Sequence, residues 1–394
     1  MSEKLAEVFE QYDMEIVGTK KGRGGTILQT ADGIRILEPF RGNVTRLEQE
    51  YVLKRLFAEE GCSNLDELIP NRDGMLLTSD KYRQPYVMKA HFEGTECDMR
   101  NRNDILRSVA ALAKFHTYGK KVAPRFKDAW AKDREEKERR KAEEIRRAIR
   151  DGEELERIAY IFEVSQSTLQ KALEDEETGR NRETLEPVRE ESVREIPEIF
   201  ERHNRELMKI RRFVGRVKRK NSFENLFLEV FETYYSQGVD CVRMLQRTGE
   251  GKEKQESDLH YGICHGSFNQ HNVLLWEGGE AIVHFERFSR GCQLHDLYQF
   301  ARKVMEKNHF DFRLLKEMFS VYDEGIPLTR EDYHYMYILF SYPEKFWKIA
   351  NGYYNAAKAF LSPKYVEKLR TVICQENEKR KMLEEYCTFQ EAGF

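Results

Sequence analysis

Long apolar runs are absent from this chain. No stretch approaches the roughly 18 consecutive apolar residues that cross a bilayer, so no membrane partner is expected. The first residues, MSEKLAEVFEQYDMEI, carry acids where a secretion signal has bases followed by an apolar run. The seven cysteines (Cys62, Cys97, Cys241, Cys264, Cys292, Cys374 and Cys387) are scattered, odd in number and without a CxxC pair. Neither a disulfide framework nor a zinc site is expected of them. Surplus charge is lacking too. The 69 acidic and 66 basic residues leave a net charge of −3, which excludes a chain-wide footprint for nucleic acid but not a local one. These absences point to a soluble, reduced, intracellular protein. Core-forming material, by contrast, is plentiful. Hydrophobic residues make up 40% of the 394, with 24 Phe and 19 Tyr, enough to fill two lobes or domains.

The N-terminal part reads as β-rich. Residues 14–38 hold three strand-like runs, MEIVG, TILQT and IRIL. They are separated by the basic, glycine-rich turn Lys20-Lys21-Gly22-Arg23-Gly24-Gly25 and by Asp32-Gly33, a hairpin signal. A helix is predicted over 45–60, with Leu47, Tyr51, Leu53 and Leu56 roughly on one face, and strands over 74–78 and 85–92. A helix over 103–117, capped by Asn103 or Asp104, carries Ile105, Val109, Leu112, Ala113 and His116 on one side. The composition then changes. From Lys132 to Arg150, 15 of 19 residues are charged, nine basic and six acidic, as in a solvated spacer helix held by i,i+4 pairs. Apolar periodicity returns at 199–247, two short strands fall within 261–287, and aromatic-rich helices follow from 293.

Residues 261–287, YGICHGSFNQHNVLLWEGGEAIVHFER, carry the functional signal. Their layout of apolar run, loop, strand, Gly-Gly turn and strand resembles the catalytic loop and metal-binding strand of aminoglycoside and choline kinase-like phosphotransferases. Those enzymes carry H-G-D-x-x-x-x-N and, after a hairpin, I-D-F-D or I-D-W-D. One Asp orients the attacking hydroxyl; the Asn and a second Asp hold Mg²⁺ against the nucleotide phosphates. His265 and Asn272 stand at matching positions here, but Ser267 replaces the catalytic Asp, His284 the first metal-binding Asp and Glu286 the second. Aligned on GIRILEPF, the phosphate-binding Lys of the third strand becomes Glu38, or Arg35 if the register slips, with Glu50 as the candidate ion-pair partner. Ser267 is no carboxylate base, a role typically worth ~10²–10⁴-fold. His284 is a poor ligand for hard Mg²⁺, and Glu38 is expected to repel phosphates. The resemblance therefore implies a degenerate site. No catalytic residue is intact at His265 and Ser267, a weak nucleotide site would involve Gly22, Gly24, Glu38 and Asn272, and a metal, if one binds at all, would meet Asn272, His284 and Glu286.

Longer segments widen the resemblance. RHNRELMKIRRF (202–213), CHGSFNQHN (264–272), HFER (284–287), HDLYQFARKVMEKNHFD (295–311) and YPEKFWKIANGYYN (342–355) resemble the CotS-type spore-coat family, a kinase-fold group of endospore-forming Firmicutes. The likeness covers roughly 10–120 and 199–385. It implies an α+β, bilobal, protein-kinase-like fold: an N-lobe at 1–92, a hinge and first C-lobe helix at 93–124, a charged helical insertion at 125–198, and a helical C-lobe at 199–394. It also implies a product of the mother-cell cytoplasm that ends in the spore coat, with other coat proteins as partners. The expected function is that of a pseudokinase with a structural or scaffolding role and no cofactor. The alternative is an active phosphotransferase using ATP and Mg²⁺ through rearranged ligands. Within the insertion, 155–173 resembles a helix-turn-helix unit, with a DNA-associated regulator as a third reading. Glu163 at the turn makes a plain helical hairpin the simpler account, and nucleic acid is not an expected partner. The glycine-rich turn could cradle phosphate or simply close a hairpin. The aromatics at 333–354 could line a groove or form a core. His116 is read as a core histidine, and Asp296 as a helix cap or a partner for the catalytic-loop backbone.

Overall fold

A computed structural model describes residues 3–151, 196–249, 258–355 and 363–391. The stretch 155–173, with its helix-turn-helix likeness, lies outside the described residues. Two compact units are present, Met1–Pro124 with Val193–Phe394, and Arg125–Ser192.

The first unit begins with helix α1 (Glu3–Phe9) and strands β1 (Ile16–Lys21), β2 (Thr26–Thr30) and β3 (Gly33–Pro39). Helix α2 (Val44–Glu59), β4 (Leu77–Ser79) and β5 (Pro85–Ala90) complete an antiparallel sheet of order β1-β2-β3-β5-β4. The two-residue period of β5 sorts its side chains. Met88 joins Leu28 and Leu37 against α1, in a core with Val8, Phe9 and Tyr12. Val87 packs on the other side with Leu47 of α2 and Leu68. Lys89 shares the face of Val87, so the strand pattern turns a lysine inward, towards α2. The register pairs Glu38 with Val87 and Ile36 with Lys89 across β3 and β5, which makes Glu38 and Lys89 diagonal neighbours on that face.

Strand β6 (Thr95–Glu96) leads to helix α3 (Arg102–Arg150). Its cap is Asn101, not Asn103 or Asp104: the Asn101 carboxamide oxygen accepts from the amides of Asn103 (3.0 Å) and Asp104 (3.4 Å). The predicted end at 117 is also overrun, and Pro124 lies inside the helix. In the second unit the charged part of this helix carries i,i+4 ion pairs such as Lys137–Asp133 (3.0 Å) and Arg134–Glu138 (3.5 Å).

The larger lobe of the first unit contains α4 (Ile196–Arg216) and α5 (Ser222–Thr248), the latter opened by an Asn221–Glu224 capping box. Then come β7 (Tyr261–Cys264), a single 3₁₀ turn at Gln270–Asn272, β8 (Val273–Trp276), β9 (Gly279–Ile282) and β10 (Ser289–Cys292). Strand β7 pairs with β10, while β8 is flanked by β6 and β9. Helices α6 (Leu294–Lys307), α7 (Phe312–Gly325), α8 (Arg330–Ser341), α9 (Glu344–Asn355) and α10 (Lys364–Glu391) follow. Much of the aromatic series forms core: Tyr333, Tyr335, Phe340, Tyr342, Phe346 and Tyr353 are buried, whereas Tyr354 is 47% exposed.

Candidate functional site

The loop from β7 to β8 is built around His265. This ring is fully buried, its Nε2 donates to the carbonyl of Val283 (3.0 Å), and its Nδ1 accepts from the amide of Ser267 (3.2 Å). Those two bonds require the neutral Nε2–H tautomer, and burial accordingly lowers the pKa of the ring. Asp296 of α6 accepts from the amides of His265 (2.6 Å) and Gly266 (2.9 Å), and from His116 Nε2 at 3.3 Å. Asp296 thus anchors the loop backbone, and His116, bonded also to the Tyr322 hydroxyl (2.8 Å), is a core histidine. Gly266 has a φ of +72°, and a Cβ there would collide with the carbonyl oxygen of Arg287. Only glycine satisfies both constraints.

Ser267 and Asn272 come together at the tip, where Asn272 Nδ2 donates to the Ser267 carbonyl (2.9 Å). The strand expected to end at Glu286 stops at Ile282, and the loop after it brings His284 and Glu286 to the same region. His284 adopts a left-handed φ of +69°, and its amide donates to Asp66 Oδ2 (3.0 Å). Such a conformation costs a non-glycine residue about 1–3 kcal/mol and persists only where neighbours impose it.

The centre of the cleft is a lysine that sequence reasoning missed. Lys89 is 3% exposed and its Nζ lies 3.1 Å from Glu286 Oε1, 3.4 Å from Glu38 Oε2 and 3.8 Å from Asp66 Oδ2. A second buried lysine, Lys54, stands 2.6 Å from Asp66 Oδ1 and 2.5 Å from Glu50 Oε1. Burial opposes the charge on Lys89, but Asp66, Glu50, Glu286 and Glu38 outweigh it and raise its pKa. Burial would raise the Asp66 carboxyl; the charges of Lys54 and Lys89 and the His284 amide hold it below its ordinary value. Glu286 is likewise held low against burial by His284 and Lys89. The pKa of the His284 imidazole is raised, chiefly by the Glu286 carboxylate 3.7 Å away. Four carboxylates therefore surround two ammonium groups, with His284 as a further cation when protonated.

Glu38 is paired with Lys89, and Glu50 bonds Lys54 of its own helix instead of a third-strand residue. Arg35, the alternative in that register, donates to the carbonyls of Ile34 and Asp32 in its own hairpin. The glycine-rich turn closes on β3: a Cβ at Gly25 would strike the Leu37 carbonyl, and one at Gly24 would stand 3.3 Å from Glu38 Oε1. Glu38 thus fills the space beneath Gly24, with Gly22 donating its amide to the Gly25 carbonyl (2.9 Å). Two further contacts draw the lobes together. Arg23 of the turn meets Glu96 Oε1 (2.5 Å) and His271 Nδ1 (2.8 Å), and His271 also meets Glu96. Arg46 of α2 donates to the carbonyls of Glu286 (3.3 Å) and Phe288, with its guanidinium 3.7 Å above the Phe288 ring.

These residues do not fit a magnesium–nucleotide pair. Glu286 is engaged by Lys89, His284 is a nitrogen donor, and the Asn272 amide is turned to Ser267. Among the described residues no group of three or more His, Cys, Asp or Glu is placed to hold a metal. Glu38 puts a carboxylate beneath the glycine turn, beside the cation that phosphates would need.

The fold is that of known phosphotransferases. The chain is similar to an aminoglycoside phosphotransferase from Alicyclobacillus acidocaldarius, with a TM-score of 0.70 at 13% identity over 97% of this chain and 95% of that one. An AMP-bound spectinomycin phosphotransferase aligns with a TM-score of 0.52 at 12% identity over 93% and 96%. At such identities the likeness shows the fold alone, and it bears out the bilobal α+β expectation. In sequence, 164 residues are 24% identical to spore coat protein S of Bacillus subtilis (strain 168), 41% of this chain and about half (47%) of the length of that relative. No helix among the described residues is long and apolar enough to cross a membrane. Residues 188–386, half of the chain, match the family described as "Spore coat putative kinase YutH", and the chain belongs to that spore-coat kinase-like family.

Proposed function

We propose that this protein is a pseudokinase with a structural or scaffolding role in the spore coat, made in the mother-cell cytoplasm and assembled with other coat proteins. One observation carries the reading: the cleft cation, Lys89, is taken up by Glu286, Glu38 and Asp66 of the protein itself. In a phosphotransferase of this fold a lysine neutralises nucleotide phosphates and acids hold the metal. Here the lysine and the acids neutralise one another. Ser267 and His284, where the resembling enzymes carry aspartates, remove the carboxylates that would orient a hydroxyl and bind Mg²⁺. The kinase frame then serves to hold a surface.

Lys89 also supports a second reading. A buried cation one strand away from the usual position could serve phosphates if Glu286 released it, giving an ATP-dependent phosphotransferase. Incubation with Mg²⁺ and γ-labelled ATP, alone and with a coat extract as acceptor, separates the two. No label should appear on any acceptor. Transfer that disappears in Asn272→Ala would overturn the pseudokinase reading.

A further inference from the structure

Helix α4 ends in a run of bases that the cleft does not use. Seven of the twelve residues from Lys209 to Lys220 are Lys or Arg, and no acid occurs between Glu206 and Glu224. The inner face of the helix is fixed by Leu207, Ile210 and Val214, which are buried in the C-lobe core. Helical spacing therefore sends Lys209, Arg212, Phe213 and Arg216, at i, i+3, i+4 and i+7, outward as one stripe. All four are exposed, and so are Lys218 and Arg219 in the turn beyond. Arg211 is paired with Glu232 (2.8 Å), and Lys220 Nζ donates to the Val217 carbonyl (2.8 Å). Among the described residues, Lys209, Arg212, Arg216, Lys218 and Arg219 make no ion pair. Cations suit a helix C-terminus, which carries partial negative charge. That explains bases in the last turn, but not Lys209, two turns earlier, nor the aromatic pair beside them. Phe213 and Tyr354 meet edge to face at 5.4 Å and are 42% and 47% exposed.

We infer that this stripe docks an acidic segment of a partner protein, one rich in Asp or Glu with an apolar or aromatic residue for the Phe213–Tyr354 pair. Charge complementarity names the partner. Three cations without an ion pair among the described residues lie along the stripe and two more in the turn beyond it, on a chain whose net charge is −3, so the field is local. The stripe is about 10 Å long, which spans about three phosphates of one strand at ~3.4 Å each, short of the ~6–10 contacts of a committed DNA binder. Two half-exposed aromatics are too little apolar surface for an interfacial membrane helix. This inference goes beyond the reading of the cleft and holds whether or not ATP is turned over.

The test uses the full chain and a fluorescein-labelled Glu-rich peptide carrying one Phe, followed by fluorescence anisotropy. Binding is expected at low ionic strength and should weaken as salt approaches ~150 mM. The charge reversal Arg212→Glu with Arg216→Glu should weaken it at least about tenfold. A control of equal charge change at exposed sites elsewhere, Arg100→Glu with Lys381→Glu, should leave it within about twofold. Far-ultraviolet circular dichroism checks that the variants are folded; if the reversal unfolds the chain, Arg212→Gln with Arg216→Gln replaces it. Absence of peptide binding, equal loss in stripe and control variants, or tighter binding of a single-stranded or duplex oligonucleotide or of phosphatidylglycerol vesicles would each overturn the inference.

Discussion

His284 is expected at the place of a metal-binding aspartate in the resembling enzymes, and its environment gives it a chemistry of its own. Its ring faces Glu286, its amide is bound by Asp66, and its backbone is left-handed. The Glu286 carboxylate 3.7 Å away favours the imidazolium, so its pKa lies above the ordinary 6.5. For a raised histidine the sign is definite. The contribution to stability is complete below the unfolded value near 6.5 and is lost as pH rises through the folded value. An NMR titration of the imidazole should place His284 above 6.5, and Glu286→Gln should bring it down. A midpoint unchanged by that substitution would remove Glu286 as the cause. His265 behaves in the opposite way, because burial in its neutral tautomer lowers it.

At the scale of elements, the catalytic-loop frame is held by backbone geometry more than by side-chain chemistry. Gly266 and Gly278 make the comparison, with φ of +72° and +80°. A Cβ at Gly266 meets the Arg287 carbonyl, whereas one at Gly278 has nothing within 4 Å. Gly278→Ala should therefore cost only the conformational strain, about 1 kcal/mol, and Gly266→Ala about 2–3 kcal/mol more, measured by urea denaturation. Equal losses would mean that the loop yields around residue 266. These glycines, His265 and Asn272 were legible in the sequence because they form one continuous motif. The cleft cation was not. Lys89 has a local signal, a lysine inside the apolar strand PYVMKAHF, but its partners arrive from β3, from α2 and its following loop, and from the segment after β9. No spacing in the sequence joins Asp66 to Lys89 or to His284. The register of β3 against β5 decides that Glu38 meets a lysine, and single-strand alternation carries no register. The cap of α3 was misplaced for a simpler reason. Asn101, Asn103 and Asp104 are all good caps, and only the backbone shows which one comes first.

For the whole molecule, a net charge of −3 hides two opposite arrangements. In the cleft, oppositely charged groups are gathered and satisfied, joining the sheet lobe to the helical lobe through Lys89 and Glu286. At the end of α4, like charges are gathered and left open. In a phosphotransferase of this fold the cleft lysine is paired with a glutamate and still reaches the nucleotide phosphates. The most direct measurement is isothermal titration of Mg-ATP into the wild-type chain and into Lys89→Met. The account predicts no saturable heat from either, because Glu286, Glu38 and Asp66 already hold the lysine. Saturable binding by the wild type that is lost in Lys89→Met would contradict it, since Lys89 would then serve nucleotide phosphates rather than the acids of its own chain.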